Sequence, residues 1–394
     1  VFDPPIKFLD QAIQSVREQI YPHWELCIAD DASTNPRVRK CIESHCQADP
    51  RIRAVFRDQN GHISAASNSA LALATGDYIA LLDHDDRLHP LALFYAADEI
   101  NQAPDCEVIY SDEDKLTHDG TRISPYFKSD FDYELLLSQN MVSHIGVYRR
   151  ERVRQLGGFR IGFEGSQDYD LLLRVIEQIS PHQIRHIPRV LYHWRISKHS
   201  VAISAAVKPY AVQSATRALS EHLENQKIQA TVEPFRNFGY KINYAIPDPA
   251  PAVELFLKPQ TINEKLLASL RSLFENTLYA PFKVCLIPSG AELNPSTIKA
   301  LNAFDPFRFQ IKDDDPQSIK LDQIIKSSSA DFIGIMDENC LAFSKGWLNT
   351  LISLALQPSI GAVSPKLVYE NGRIHSCGVV LGVDGIAGHL FNGV

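Results

Sequence analysis

Four short apolar runs, at residues 24–29, 51–56, 78–82 and 108–110, alternate with helix-patterned segments in the opening part of the chain. That alternation constrains the fold more than any other feature. Over residues 6–19, Phe8, Leu9, Ile13 and Val16 share one helical face, and Pro22 stops the chain before the next apolar run. Residues 63–74 form a second helical pattern, with Ala65, Ala66, Ala70 and Ala74 permitting close approach to a sheet; 91–100 form a third. The run 78–82 is almost wholly apolar, as expected of a strand covered on both faces. Strands joined by helices of this length predict a parallel α/β sheet with right-handed crossovers.

Residues 111–200 are richer in polar and loop-forming residues, and the clearest element there is a helix over 166–179. Ser166 is its expected N-cap, and Leu172, Leu173 and Ile176 make its apolar stripe. A further helix is expected over 203–225, and Pro247, Pro249 and Pro251 mark a boundary. The opening pattern then returns. Segments 8–15, 21–31 and 74–86 are echoed at 265–272, 279–289 and 328–340, at offsets of 257, 258 and 254 residues. Collinear echoes at nearly constant spacing predict a tandem repeat: a first domain over 1–225, a linker over 226–252 and a second copy over 253–394.

A chain of 394 residues is long enough for two cores. Its formal charge of −8 argues against a general binder of nucleic acid. Seven scattered cysteines fit neither a disulfide scaffold nor a paired zinc motif, and are expected as free thiols in a reducing compartment. No uncharged apolar run reaches the roughly 18 residues of a membrane span. The chain opens on Val1 and closes on "GHLFNGV", and both ends read as cut.

The candidate chemistry lies at strand ends, where open α/β sheets place their ligand crevice. The run 24–29 leads into Asp30-Asp31-Ala32-Ser33, and 78–82 leads into Asp83-His84-Asp85-Asp86. Asp83 and Asp85, one residue apart, can meet a hard cation such as Mg²⁺ or Mn²⁺ and the diphosphate that shares it. Asp30 can accept a hydrogen bond from a base N–H and is the choice for a pyrimidine ring; Asp31 or Ser33 can instead cap the next helix. Gly61 precedes a helix whose free N–H groups can face a nucleotide, although small helix residues also serve plain packing. Asp168 has two readings. It can complement its helix dipole, or it can take the proton from an attacking hydroxyl, although the helix N-terminus tends to lower its pKa. His193 can ligate a cation or simply pack beside Trp194, and Arg195 can oppose a diphosphate or form an ion pair. The acidic run Asp112-Glu113-Asp114 reads equally as an acceptor-side lining or a solvated turn.

These residues together resemble the family 2 glycosyltransferases of the GT-A fold, especially tandem-domain bacterial enzymes of O-antigen or rhamnosyl transfer. The resemblance rests on "PHWELCIADDAST", "NGHISAASNSALALATGDYIALLDHDDRLHPLAL", "IYSDEDKL", "FEGSQDYDLLLRV" and "HIPRVLYHWR", in the family's order across most of residues 1–200. It implies a Rossmann-like mixed sheet flanked by helices, with a truncated second copy. It also implies inverting, metal-dependent transfer from a UDP- or dTDP-sugar to a glycan or lipid-linked saccharide, in cell-surface polysaccharide synthesis. Asp30 would meet the base, with Asp31, Ser33, Gly61, His84 and Arg195 near the nucleotide. Asp83 and Asp85 would hold metal and diphosphate, His193 would add a metal or phosphate contact, and Asp168 would be the base. The expected location is cytoplasmic, with room for peripheral attachment to the inner membrane face.

Against the family pattern, Val1-Phe2-Asp3 reads as the remnant of a central strand, so poor solubility is expected of this span alone. In the second copy Pro288-Ser289 stands for Asp30-Asp31, and Asp337-x-Asn339 for Asp83-x-Asp85, so that copy is either noncatalytic or a divergent site. Two rival functions are a nucleotidyltransferase, which would favour a Gly/Lys/Arg-rich phosphate loop, and a carbohydrate- or partner-binding remnant, which need not keep the first-domain carboxylates.

Overall fold

The computed structural model describes residues 1–196, 209–235, 239–288, 295–312, 321–381 and 387–389. It divides into two compact units, Val1–Ile242 and Asn243–Val394. The expected helical residues 203–208 and Ser289 lie outside the described residues.

In the first unit the elements run α1 (Ile6–Arg17), β1 (Leu26–Asp30), α2 (Pro36–Ala48), β2 (Ile52–Phe56), α3 (His62–Leu73), β3 (Tyr78–Ala80), β4 (Arg87–Leu88), α4 (Ala92–Gln102) and β5 (Val108–Leu116). There follow β6 (Arg122–Tyr126), α5 (Tyr133–Ser138), β7 (Gly146–Arg149), α6 (Arg150–Gln155), α7 (Gln167–Ile176), β8 (Ile184–Arg195), α8 (Pro209–Asn225), β9 (Ala230–Phe235) and β10 (Gly239–Tyr244). The last two strands pair with each other, so the expected linker carries ordered secondary structure.

The sheet is mixed rather than purely parallel. Its path is β3-β7-β5-β8-β4, with β6 on β5; β5 and β8 run parallel, while β3–β7, β5–β7 and β4–β8 are antiparallel. The fourth apolar run extends well beyond 110: β5 reaches Leu116 and takes in the acidic residues Asp112, Glu113 and Asp114, all buried. They are therefore not a solvated turn. Each finds an opposite charge or a donor from the strands and loops around it, and that is what permits acids in a covered strand. Ile109, Val147, Ile187 and Leu191 form the core beneath.

Strands β1 and β2 form a separate parallel pair covered by Leu9 and Ile13 of α1 and Val38 and Ile42 of α2. No ladder joins β1 to β3 among the described residues. The β3 side chains are half-buried or exposed, not covered on both faces. Leu26 N and Asp30 O face β2; beyond the opposite edge of β1, the Val1 carbonyl accepts from Asp31 N at 2.8 Å.

The second unit contains β11 (Val253–Leu257), α9 (Glu264–Glu275), β12 (Phe282–Leu286), α10 (Pro295–Leu301), β13 (Phe309–Ile311), α11 (Leu321–Lys326), β14 (Phe332–Met336) and α12 (Trp347–Ala355). Its four-stranded parallel sheet has the order β13-β12-β11-β14. By the internal repeat, β12 and β14 are the counterparts of β1 and β3. In the second unit β11 bonds to both, with Leu255 opposite Val284 on one side and Gly334 on the other. The first unit has open space at that position.

Candidate active site

That space belongs to a cleft of about 2250 Å³. Trp24 to Cys27, Tyr78 to Leu82, Asp83, His84, Asp85, His144 and Asp168 all line it. Three elements bring the polar group together. Leu81 N still bonds to Gly146 O, after which the chain turns at Asp83 with Asp86 N on Asp83 O. His144 comes from the loop before β7, and Asp168 from the first turn of α7. Gly165, at φ +82 with a would-be Cβ only 2.8 Å from Ala211 Cβ, fixes the entry to that helix. Ser166 occupies the N-cap position without capping; its hydroxyl donates to Ala211 O at 2.8 Å.

Asp83, Asp86 and His144 offer ligand atoms that all lie within 4.8 Å of one another, a candidate metal-binding cluster. Their surroundings differ. Asp86 is buried behind the cleft wall, and both its oxygens are taken, one by Tyr192 Oη at 2.6 Å and one by Arg195 N at 2.7 Å. Asp83 is exposed and Asp85 half-exposed, and both face the cleft. Burial raises the Asp85 and Asp86 carboxyls above their ordinary value and lowers His84. The donor set of carboxylate oxygens and one imidazole fits a hard divalent cation.

His144 stacks on Tyr192 with centroids 4.6 Å apart, and its Nδ1 lies 3.3 Å from Glu113 Oε2. Burial opposes charge on this ring, but Glu113, Asp86 and Asp83 raise its pKa to about 9. Burial likewise opposes ionisation of Glu113, yet His144 and Lys128 hold that carboxyl at about 2. Lys128 Nζ donates to Glu113 Oε2 at 3.1 Å, Val142 O at 2.8 Å and His144 O at 2.7 Å, using all three protons to pin the His144 loop.

Asp168 lines the cleft, and its Oδ2 accepts from Asn140 Nδ2 at 2.8 Å. Its pKa is raised, chiefly by burial, rather than lowered by the helix terminus. Burial wins because the charged form loses more hydration than one helix end returns.

The other expected site residues lie elsewhere. His193 is buried with Nδ1 at 2.7 Å from Asp114 Oδ1, and it is not brought to Asp83 or Asp85. Arg195 is no free cation: its Nε donates to Asp85 O at 2.6 Å, its Nη2 to Gln11 Oε1 at 2.9 Å, and it lies over Phe8. It braces the backbone of Asp85 from behind. Asp30, Asp31, Ser33 and Gly61 do not line the cleft. Asp30 is buried and accepts from Ser33 N at 3.3 Å, while Ser33 Oγ accepts from Asp3 N at 3.0 Å. Asp31 binds Arg57 Nε at 2.8 Å and Gly61 N at 3.0 Å, and it is Asn35 that caps α2. Asn140, His144 and Lys128 had no signal of their own in the sequence; Glu113, singled out there with the acidic run, lines the cleft.

In the second unit Asp337 Oδ1 accepts from both Asn339 N at 2.8 Å and Asn339 Nδ2 at 2.9 Å, closing the loop on itself.

Residues 6–157 match the family model described as Glycosyl transferase family 2. The uncharacterized protein y4gI of Sinorhizobium fredii (strain NBRC 101917 / NGR234) is 38% identical over 404 residues, covering 99% of this chain and 43% of that protein. The O-antigen biosynthesis protein RfbC of Myxococcus xanthus is 33% identical over 394 residues, covering 99% of this chain and 31% of that one. Among solved structures, the mannosyltransferase PcManGT of Pyrobaculum calidifontis, in complex with GDP-Man and Mn²⁺, is 16% identical with a TM-score of 0.44, over 57% of this chain and 62% of that one. The chain thus spans less than half the length of either of the two relatives.

Proposed function

We propose that the first unit, of which residues 6–157 match the glycosyl transferase family 2 model, moves a sugar, with inversion, from a UDP- or dTDP-sugar to a glycan or lipid-linked acceptor in cell-surface polysaccharide synthesis. One observation carries the reading: Asp83, Asp85 and Asp168 line a single cleft. An inverting displacement needs an acceptor hydroxyl deprotonated on one side of the anomeric carbon and a diphosphate leaving on the other. Asp168, with its pKa raised by burial, takes the hydroxyl proton, and Asn140 fixes the orientation of its carboxylate. Asp83 and Asp85 would hold Mg²⁺ or Mn²⁺, which when bound neutralises charge on the departing diphosphate. His84 lines the cleft and remains on the proposed nucleotide side, while Asp31 acts indirectly by fixing Gly61 at the start of α3, whose His62 and Ile63 line the cleft.

For the second unit we propose a noncatalytic role, because Asp337 is committed to Asn339. No helix among the described residues is long and apolar enough to cross a membrane.

The test is a donor screen with Mg²⁺ or Mn²⁺ that reads released nucleoside diphosphate with and without glycan acceptors. Asp83→Asn, Asp85→Asn and Asp168→Asn should each abolish transfer in a folded chain, and Asp337→Asn should leave it intact. Unchanged turnover in the first three would overturn the assignment.

A further inference from the structure

Asp10 of α1 and Cys41 and His45 of α2 present an oxygen, a sulfur and a nitrogen that all lie within 4.8 Å of one another. None of the three lines the cleft, so this group is separate from the carboxylates proposed for donor binding. Cys41 and His45 stand four residues apart on one helix, which places both side chains on the same face. Asp10 approaches from the neighbouring helix, its carboxylate oxygen 2.9 Å from His45 Nε2.

We propose that Asp10, Cys41 and His45 bind a borderline-soft divalent cation of the Zn²⁺ class. The donor chemistry selects the ion: a thiolate and an imidazole favour Zn²⁺ or Co²⁺ over Mg²⁺, which prefers oxygen alone. Tetrahedral bond lengths put nitrogen and oxygen ligands about 3.3 Å apart, so Asp10 has only to swing back by a few tenths of an ångström. Its side chain is 59% exposed and free to do so, whereas the His45 ring is held at 9% exposure. Cys41 is partly exposed, leaving a path for the ion and for water as a fourth ligand. On binding, the Cys41 thiol gives its proton to solvent and the His45 ring binds neutral. The ion then ties α1 to α2 across Leu9, Ile13, Val38 and Ile42, the small core over the β1–β2 pair.

A plain Asp10–His45 ion pair with a bystander thiol makes the opposite forecast, and Co²⁺ distinguishes them as a spectroscopic probe. The whole chain is stripped with a chelator and titrated with Co²⁺. One equivalent should produce a sulfur-to-cobalt charge-transfer band, absent in Cys41→Ser and reached in Asp10→Asn only at ~10-fold or more higher Co²⁺. In the unsubstituted chain, Zn²⁺ should protect Cys41 from alkylation while exposed Cys377 still reacts, as mapped by peptide mass spectrometry. The binding should also raise the thermal midpoint. A missing band, a band that persists in folded Cys41→Ser, or equal alkylation of Cys41 with and without Zn²⁺ would overturn the site.

Discussion

Asn140 Nδ2 donates to Asp168 Oδ2 at 2.8 Å, and the Asn140 side chain also accepts from Ser143 N at 3.2 Å through Oδ1. One amide thus ties the proposed base to the loop that carries His144. Asn140→Ala releases the carboxylate without removing it. The expected result is a kcat lower by roughly 10- to 100-fold with the donor KM nearly unchanged, since a misplaced catalytic group costs about that much. A donor KM that rises while kcat holds would show that Asn140 serves binding and not the base.

Lys128 is a buried ammonium with three acceptors, among them the carboxylate of Glu113. Lys128→Met leaves Glu113 and two backbone carbonyls without that donor, and breaking a buried pair on one side costs about 3–5 kcal/mol. Adding Glu113→Gln removes the stranded charge and should recover part of the loss. Urea unfolding of the single and double variants measures both; equal stability of Lys128→Met and the unsubstituted chain would contradict the role given to Lys128.

The strand–helix alternation was legible in the sequence because apolar periodicity reports directly on which faces are covered, and α1, β1, β2, α3 and α4 lie where that pattern put them. Strand-end placement also led to Asp83 and Asp85, which share the cleft with Asp168. Pairing across the chain was not legible. The acids of β5 look like a solvated turn until Lys128, His144, His186, Arg122 and His193 are brought against them from distant segments. Arg195 and His193 resemble ligands by composition, yet each is spent on a buried partner. Such assignments depend on tertiary contacts that no local spacing encodes.

Asp49 gives a pH test away from the cleft. Hydrogen bonds from Arg51, whose Nη2 lies 2.8 Å from Asp49 Oδ2, lower its pKa from 3.8 to about 2. A carboxyl depressed on folding stabilises the folded state above its unfolded pKa and loses that contribution as pH falls through the folded one. Asp49→Asn should therefore lower the thermal midpoint at pH well above 3.8, with the gap narrowing below 3.8 and closing near pH 2. A gap independent of pH across that window would show that the effect is not ionic.

The space between β1 and β3 yields the last prediction. In the second unit β11 fills the corresponding place, and Ile287 N donates to Leu257 O at 2.9 Å much as Asp31 N donates to Val1 O at 2.8 Å. Aligning Asp31 with Ser289 by the repeat offset of 258 puts Val1 at the place of residue 259. Residues 253–258, VELFLK, placed directly ahead of Val1 would then enter the slot in register with β1. One effect favours the extended chain. Its strand would satisfy backbone edges of β1 and β3 and cover Leu26, Tyr78 and Leu82, which now line the cleft. The thermal midpoint should rise by at least ~3 °C, the shift that about 1 kcal/mol produces in a unit of this size. A Gly/Ser extension of equal length supplies the control, and equal midpoints for the two would mean that the slot does not accept a strand.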